Sequence, residues 1–210
     1  SNPLRFHPGD KWLYGDSTDF VGLLVEKISG VSLERFLQER IFQPLGMRDT
    51  HYHVPREKVD RVAAIYRPDK EGKIGLLSKP EFRAPSTLVR GGSGLSGTAA
   101  DYVRFAQMLL NGGELDGVRL LGRTTVDLMF TNQIGTDKLV PNRGPGYGFG
   151  LGGAVLIDRA VAAEALSTGT WTWGGANGTI FWIDPAEELI PILMVQINPF
   201  GPSSIRPRFS

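Results

Sequence analysis

The chain has 210 residues, with 23 basic and 22 acidic side chains and a formal net charge of +1. That balance excludes a strongly basic nucleic-acid surface and a polyacidic tail. Cysteine is absent, which excludes a disulfide framework, a thiolate zinc site and a cysteine nucleophile.

Apolar residues make up 41% of the chain and charged residues 21%, the usage of a chain that buries a real core. The 27 glycines and 14 prolines exceed the ordinary share of roughly 12% for the two together. They do not repeat with a period, so they mark turns between elements. The longest apolar run, Leu189 to Val195, is short and broken by Pro191, so it does not span a membrane. The chain opens Ser1-Asn2-Pro3, without Met or a charged-then-apolar leader. The expectation is a chain that begins inside a longer one.

Phe20, Leu23, Leu24 and Ile28 recur at helical spacing. Ser17, Thr18 or Asp19 can cap this first helix, and Gly30 stops it. Ser32 caps a second helix with the stripe Leu33, Phe36, Leu37 and Ile41, ended by Pro44. A third stripe is Tyr102, Phe105, Ala106 and Leu109. Thr98 and Asp101 predict a capping box at its start, and Asn111-Gly112-Gly113 its end. A shorter helix is expected over Thr124 to Phe130.

From Tyr147 onward the pattern changes to strands. Tyr147 to Ile157, Thr170 to Trp173, Thr179 to Ile183 and Leu189 to Ile197 read as an antiparallel meander, the last of them buried. Asp184-Pro185-Ala186-Glu187-Glu188 reads as the turn before that last strand. The reading is an α+β chain, with helices and loops over 1–140 and strands over 141–210, forming parts of a single domain. Four or so strands leave open sheet edges.

Three motifs take bland explanations. Gly92-Ser93-Gly94-Leu95-Ser96-Gly97 fits a dinucleotide fingerprint on paper, but Ala84 to Arg90 is a poor preceding strand. Asp101 in the first helical turn would also repel a pyrophosphate. It reads as a glycine-rich turn. Ser93 and Ser96 lack a complete Gly-x-Ser-x-Gly, and His51-Tyr52-His53 lacks a third ligand, since the remaining histidine is His7. No metal or organic cofactor is implied.

Two segments ask for more: Phe6-His7-Pro8-Gly9-Asp10-Lys11-Trp12-Leu13-Tyr14-Gly15-Asp16-Ser17-Thr18-Asp19, and Thr168-Gly169-Thr170-Trp171-Thr172-Trp173-Gly174-Gly175-Ala176-Asn177-Gly178-Thr179. With Ile41 to Thr50, Gly91 to Tyr102 and Leu109 to Gly117, they resemble the serine hydrolases of the class C β-lactamase, penicillin-binding protein and family VIII carboxylesterase group. The resemblance runs over nearly the whole chain. It implies a β-lactamase/transpeptidase-like fold, an antiparallel sheet flanked by helices plus a mainly helical region, incomplete here at the N-terminus. It also implies an acyl-enzyme mechanism on a serine of a Ser-x-x-Lys motif.

By that resemblance Tyr14 matches the tyrosine that takes and returns the serine proton. An ammonium beside it would favour the phenolate of a group that titrates near 10 when unperturbed. Trp173-Gly174-Gly175 matches the strand motif where β-lactamases carry Lys-Thr-Gly, and Ala176 the backbone N–H of an oxyanion donor. Trp173 cannot pair with a penicillin carboxylate as a lysine does, which favours neutral esters. Asp16 stands where many relatives have the Asn of a Tyr-x-Asn motif; a substrate contact is its candidate role. No Ser-x-x-Lys occurs, and Ser203-Ser204-Ile205-Arg206 ends in Arg. The family places that motif upstream of the tyrosine, and a closing helix would be expected beyond Pro199 to Ser210. The expectation is a fragment of a carboxylesterase or transesterase, silent alone, with the missing N-terminal segment as a partner and a small ester or lactam as substrate. Rival readings are a β-lactamase or D-Ala-D-Ala carboxypeptidase of the same fold, and a non-catalytic module that binds peptides or cell-wall pieces.

Overall fold

The computed structural model describes residues 3–82, 84 and 89–199. Most of the weak segment before Gly91, the Ser203 to Arg206 stretch and the chain end after Pro199 lie outside the described residues.

Helix α1, Ser17–Ser29, forms where the stripe predicts, and Gly30 ends it at φ 73°, donating its N–H to the Glu26 carbonyl. The stripe itself does not face the core. Phe20, Leu24 and Ile28 are 66%, 58% and 84% exposed, and the one buried residue of the helix is Gly22. A Cβ on Gly22 would meet Leu33 Cδ2 at 2.8 Å and the Gly91 Cα at 3.2 Å. The helix therefore approaches its neighbours on its small side.

Ser32 starts α2, Leu33–Leu37, by accepting the Arg35 N–H at 3.3 Å. The chain then widens into one π-helical turn, Gln38–Phe42, and delivers Phe42, Leu45 and Met47 to the core. Next comes a 3-10 turn, Arg56–Arg61. Two hairpins then interrupt the stretch read as helices and loops. The first pairs β1, Ile65–Pro68, with β2, Ile74–Ser78. Asp69 at its tip accepts the N–H groups of Glu71 and Lys73. The second pairs β3, Glu114–Leu115, with β4, Val118–Arg119. Both are too short or too exposed to leave the period-2 alternation by which strands are read.

Between the hairpins, α3 spans Ala99–Leu110, with Thr98 Oγ1 accepting the Asp101 N–H at 3.1 Å. The reciprocal half of a capping box is absent. The Asp101 carboxylate accepts instead from the Asp49 N–H at 2.7 Å and the Thr50 hydroxyl at 2.8 Å. Helix α4, Arg123–Met129, follows.

The remaining elements are β5 Tyr147–Phe149, β6 Ala154–Leu156, α5 Arg159–Ala162, β7 Trp171–Gly174, β8 Ile180–Ile183 and β9 Ile192–Leu193. Their strands form one antiparallel sheet in chain order, five strands rather than four. The last strand is a half-buried pair of residues, not the long buried run expected from Leu189 to Ile197. Pro191 has no N–H to donate, and the ladder there retains its carbonyl as acceptor for the Trp182 N–H at 3.0 Å. One core joins α3 and α4 to the sheet through Met108, Leu109, Val126, Val155, Trp171 and Ile183. A second, around Tyr147, Ala154 and Leu156, carries Phe149 and Trp173.

Candidate active site

Tyr14 lies on the turn before α1, with 57% of its surface exposed. Trp173 lies on β7, at the other end of the sequence. Their ring centroids are 5.8 Å apart. Trp12 sits 6.3 Å from Tyr14 and 6.2 Å from Trp173. Phe149 closes the cluster, 5.1 Å from Trp12 and edge-on to Trp173 at 5.3 Å. Each separation is within the range in which aromatic rings attract one another. The Arg143 guanidinium lies 5.5 Å from the Trp173 ring centre, a cation–π distance. It also donates to Thr172 Oγ1 at 3.2 Å.

Strand β7 is open beside the cluster. β6 pairs with it only at Trp171 and Thr172, because the chain bends away at Gly152 and Gly153. A Cβ on Gly153 would come within 2.5 Å of the Trp171 ring. Among the described residues, no strand lies on the β6 side of Trp173 and Gly174. β8 covers the other side, pairing Trp173 with Phe181 and Gly174 with Ile180.

Beyond Gly174 the chain turns. The Gly175 N–H donates to the Thr179 carbonyl at 2.8 Å, and the Gly178 N–H to the Gly175 carbonyl at 3.1 Å. Gly175 is needed for the close approach, since a Cβ would sit 2.4 Å from Thr179 Oγ1. Ala176 is exposed at the top of this turn, and among the described residues nothing accepts its N–H. Asn177 anchors the turn from behind. Its side chain donates to Gln196 Oε1 at 2.9 Å and accepts from Asn198 Nδ2 at 2.8 Å, and its carbonyl accepts the Ile197 N–H at 2.8 Å. Tyr66 on β1 pairs with the same segment, donating its N–H to the Gln196 carbonyl and accepting the Asn198 N–H.

Asp16 has its carboxylate 3.1 Å from Arg90 Nη2 and caps nothing in α1. His51 meets Lys58 Nζ at 3.3 Å, and His53 meets Glu34 at 3.1 Å, so both histidines are engaged by ordinary surface partners. Gly91 and Gly92 owe their place to packing. A Cβ on Gly91 would lie 2.1 Å from the Thr18 carbonyl oxygen.

The structure thus brings Tyr14 and Trp173 together, with Gly174 at the end of β7 and Gly175 and Ala176 on the turn that follows it. Trp12, Phe149 and Arg143 join the site without having been singled out by sequence. Trp12 stands within the Tyr14 segment, and its spacing from the tyrosine was available as a signal. Phe149 and Arg143 left none.

A profile of the Beta-lactamase family matches residues 1–208. The lovastatin esterase of Penicillium rubens is 30% identical over 215 residues, covering 92% of this chain and 52% of that protein. Esterase EstB of Burkholderia gladioli is 30% identical over 210 residues, with 92% and 52% covered. Among solved structures, EstCE1, described as a hydrolase with promiscuous acyltransferase activity, superimposes with a TM-score of 0.83 at 27% identity. It covers 97% of this chain and 56% of that one. The chain spans about half the length of the curated relatives it matches. On the family match and these superpositions, the chain belongs to the Beta-lactamase family and carries a β-lactamase/transpeptidase-like fold.

Proposed function

We propose that the chain is the substrate-facing half of a serine hydrolase or acyltransferase that works on esters through an acyl-enzyme, with Tyr14 as its proton carrier. The observation that carries the reading is the 5.8 Å contact of Tyr14 with Trp173, beside an edge of β7 that β6 leaves open at Trp173 and Gly174 among the described residues. The serine comes from outside these residues, since no Ser-x-x-Lys occurs in the sequence.

In acylation the serine oxygen bonds to the ester carbonyl carbon while the Tyr14 phenolate takes its proton. The carbonyl oxygen becomes an oxyanion, and the Ala176 N–H donates to it; such a donor contributes about 3–4 kcal/mol. Tyr14 then gives the proton to the departing alcohol oxygen. Water, or a second alcohol, repeats the sequence on the acyl-enzyme and frees the serine. The aromatic wall of Trp12, Phe149 and Trp173 offers apolar contact to the acyl or alcohol portion, and Trp173 offers no charge partner to a β-lactam carboxylate. The relatives named as esterases favour the same class.

The test is turnover of p-nitrophenyl butyrate and of nitrocefin. The 210-residue chain turns over neither. A polypeptide that adds an in-frame Ser-x-x-Lys segment hydrolyses the ester faster, and Tyr14→Phe lowers that rate by roughly 10²–10⁴-fold. Faster nitrocefin turnover selects the β-lactamase reading. Ligand binding that is indifferent to Tyr14→Phe, without turnover in any form, selects the binding module.

A further inference from the structure

Tyr14 has no secondary structure of its own to hold it. It sits one residue beyond Leu13 on an exposed turn, and the adjoining α1 starts in an unusual way. Asp16 occupies the capping position, and Asp19 the first turn, where a carboxylate ordinarily accepts the free N–H groups of its own helix. Neither side chain does so. Both reach out to Arg90, on a segment distant in sequence.

The geometry is that of a clamp. Arg90 Nε donates to Asp19 Oδ2 at 2.8 Å, and its Nη2 lies 2.7 Å from the same oxygen and 3.1 Å from Asp16 Oδ1. The other Asp19 oxygen accepts the Gly92 N–H at 2.7 Å. The Gly92 N–H and the Arg90 guanidinium together hold the Asp19 carboxyl below its ordinary value. Behind Arg90, its own carbonyl accepts the Tyr52 hydroxyl at 2.9 Å, which fixes the strut from the far side. Gly91 lets the two backbones touch. The parts differ in exposure: the Asp19 side chain is 22% exposed and the Asp16 side chain 78%. An exposed ion pair orders little, whereas a carboxylate that takes the guanidinium on one oxygen and a backbone N–H on the other is directional.

We propose that Arg90 and Asp19, with Asp16 as a weaker third member, are positioning residues that hold the Tyr14 turn against Trp12 and Trp173. The proposal rests on the reading of Tyr14 as proton carrier and supplies what that reading lacks, a reason for an exposed phenol to keep one orientation. It also gives Asp16 a task. The carboxylate that replaces the amide of many relatives is matched to the guanidinium rather than aimed at the substrate edge.

The experiment uses the 210-residue chain. Tyr14→Leu defines the part of the near-ultraviolet circular dichroism that comes from the contacts of Tyr14 with Trp12 and Trp173. Arg90→Gln and Asp19→Asn each remove more than half of that part, the double variant removes no more than either alone, and Asp16→Asn removes less than either. Arg90→Lys recovers little, because an ammonium lacks the planar set of donors that spans Asp19 and Asp16. Far-ultraviolet spectra stay unchanged throughout. A near-ultraviolet spectrum of Arg90→Gln equal to that of the parent chain overturns the proposal, as does additivity in the double variant. Loss of the far-ultraviolet signal in both single variants overturns it too, by making the trio a folding requirement. Tyr14→Phe in a serine-bearing polypeptide tests the underlying reading separately. If turnover survives that change, Tyr14 is not the proton carrier, whatever the clamp does to the spectrum.

Discussion

The Asp101 carboxylate accepts the Thr50 hydroxyl at 2.8 Å, and with the neighbouring Asp49 N–H it ties the first turn of α3 to the segment that follows the π-helical turn. Both Asp101 and Thr50 are buried. Asp101→Ala leaves two donors without their acceptor, at a cost of about 2–4 kcal/mol. Urea unfolding of the variant and the parent chain measures it. Thr98→Ala, which removes only the cap, costs about 1 kcal/mol by the same measurement.

Asp184 sets a dependence on pH. Burial raises its pKa, but hydrogen bonds from the Ser167 and Glu187 N–H groups, with the Ser167 and Thr170 hydroxyls, together outweigh that and leave the carboxyl below its ordinary value of 3.8. A depressed folded-state pKa means that the unfolded chain binds the proton more readily. The contribution is therefore complete above about pH 4 and fades as the pH falls through the lower folded value. Melting temperatures of the parent chain and Asp184→Asn, compared from pH 7 down to pH 2, differ most at neutral pH and converge in acid. A gap that is constant over this range would falsify the assignment.

Gly91→Ala forces a methyl group to within 2.1 Å of the Thr18 carbonyl. Two backbones must part, and the chain loses about 1–3 kcal/mol. Gly15→Ala meets nothing within 4 Å and leaves stability within about 0.5 kcal/mol of the parent. Thermal denaturation of the two variants side by side separates a packing glycine from a spacer.

The exposed stripe of α1 and the core behave oppositely on substitution. Leu45 is wholly buried, and Leu45→Ala costs about 2–5 kcal/mol. Leu24→Gln changes the stability of this chain by no more than about 0.5 kcal/mol, because Leu24 is already in water. The same change lowers binding of an apolar dye such as anilinonaphthalene sulfonate, which reads the Phe20–Leu24–Ile28 face directly.

The elements legible in the sequence are those whose signal is local. Ser32 and Thr98 cap where they were expected to, Gly30 ends α1, and the strands from Tyr147 to Ile183 follow their β-branched and aromatic runs. What a stripe packs against is not local, which is why Phe20, Leu24 and Ile28 predict a helix without saying what covers them, and here that face is exposed. Asp101 shows the same limit. Its spacing from Thr98 is that of a capping box, but a partner 51 residues away holds the carboxylate. Of the proposed site, Tyr14 and the Trp173-Gly174-Gly175 strand were named through likeness to a family, and the fold sets Tyr14 beside Trp173. Phe149 and Arg143 were not, because only the bends of the folded sheet carry them to Trp173.

The hydrogen bonds that join Asn177 to residues 196–198, and those residues to Tyr66, put the Ala176 turn and the β1–β2 hairpin in one mechanical unit. The turn proposed to offer the Ala176 N–H to a reacting oxygen is thus held by a segment from the far end of the sheet and a hairpin from the first half of the chain. Insertions at the Asp69–Lys73 tip, which touch none of these bonds, can lengthen the hairpin freely. A change at Tyr66 that parts the strands instead slackens the Ala176 turn, so the order of that turn depends on a residue 110 positions away in the chain.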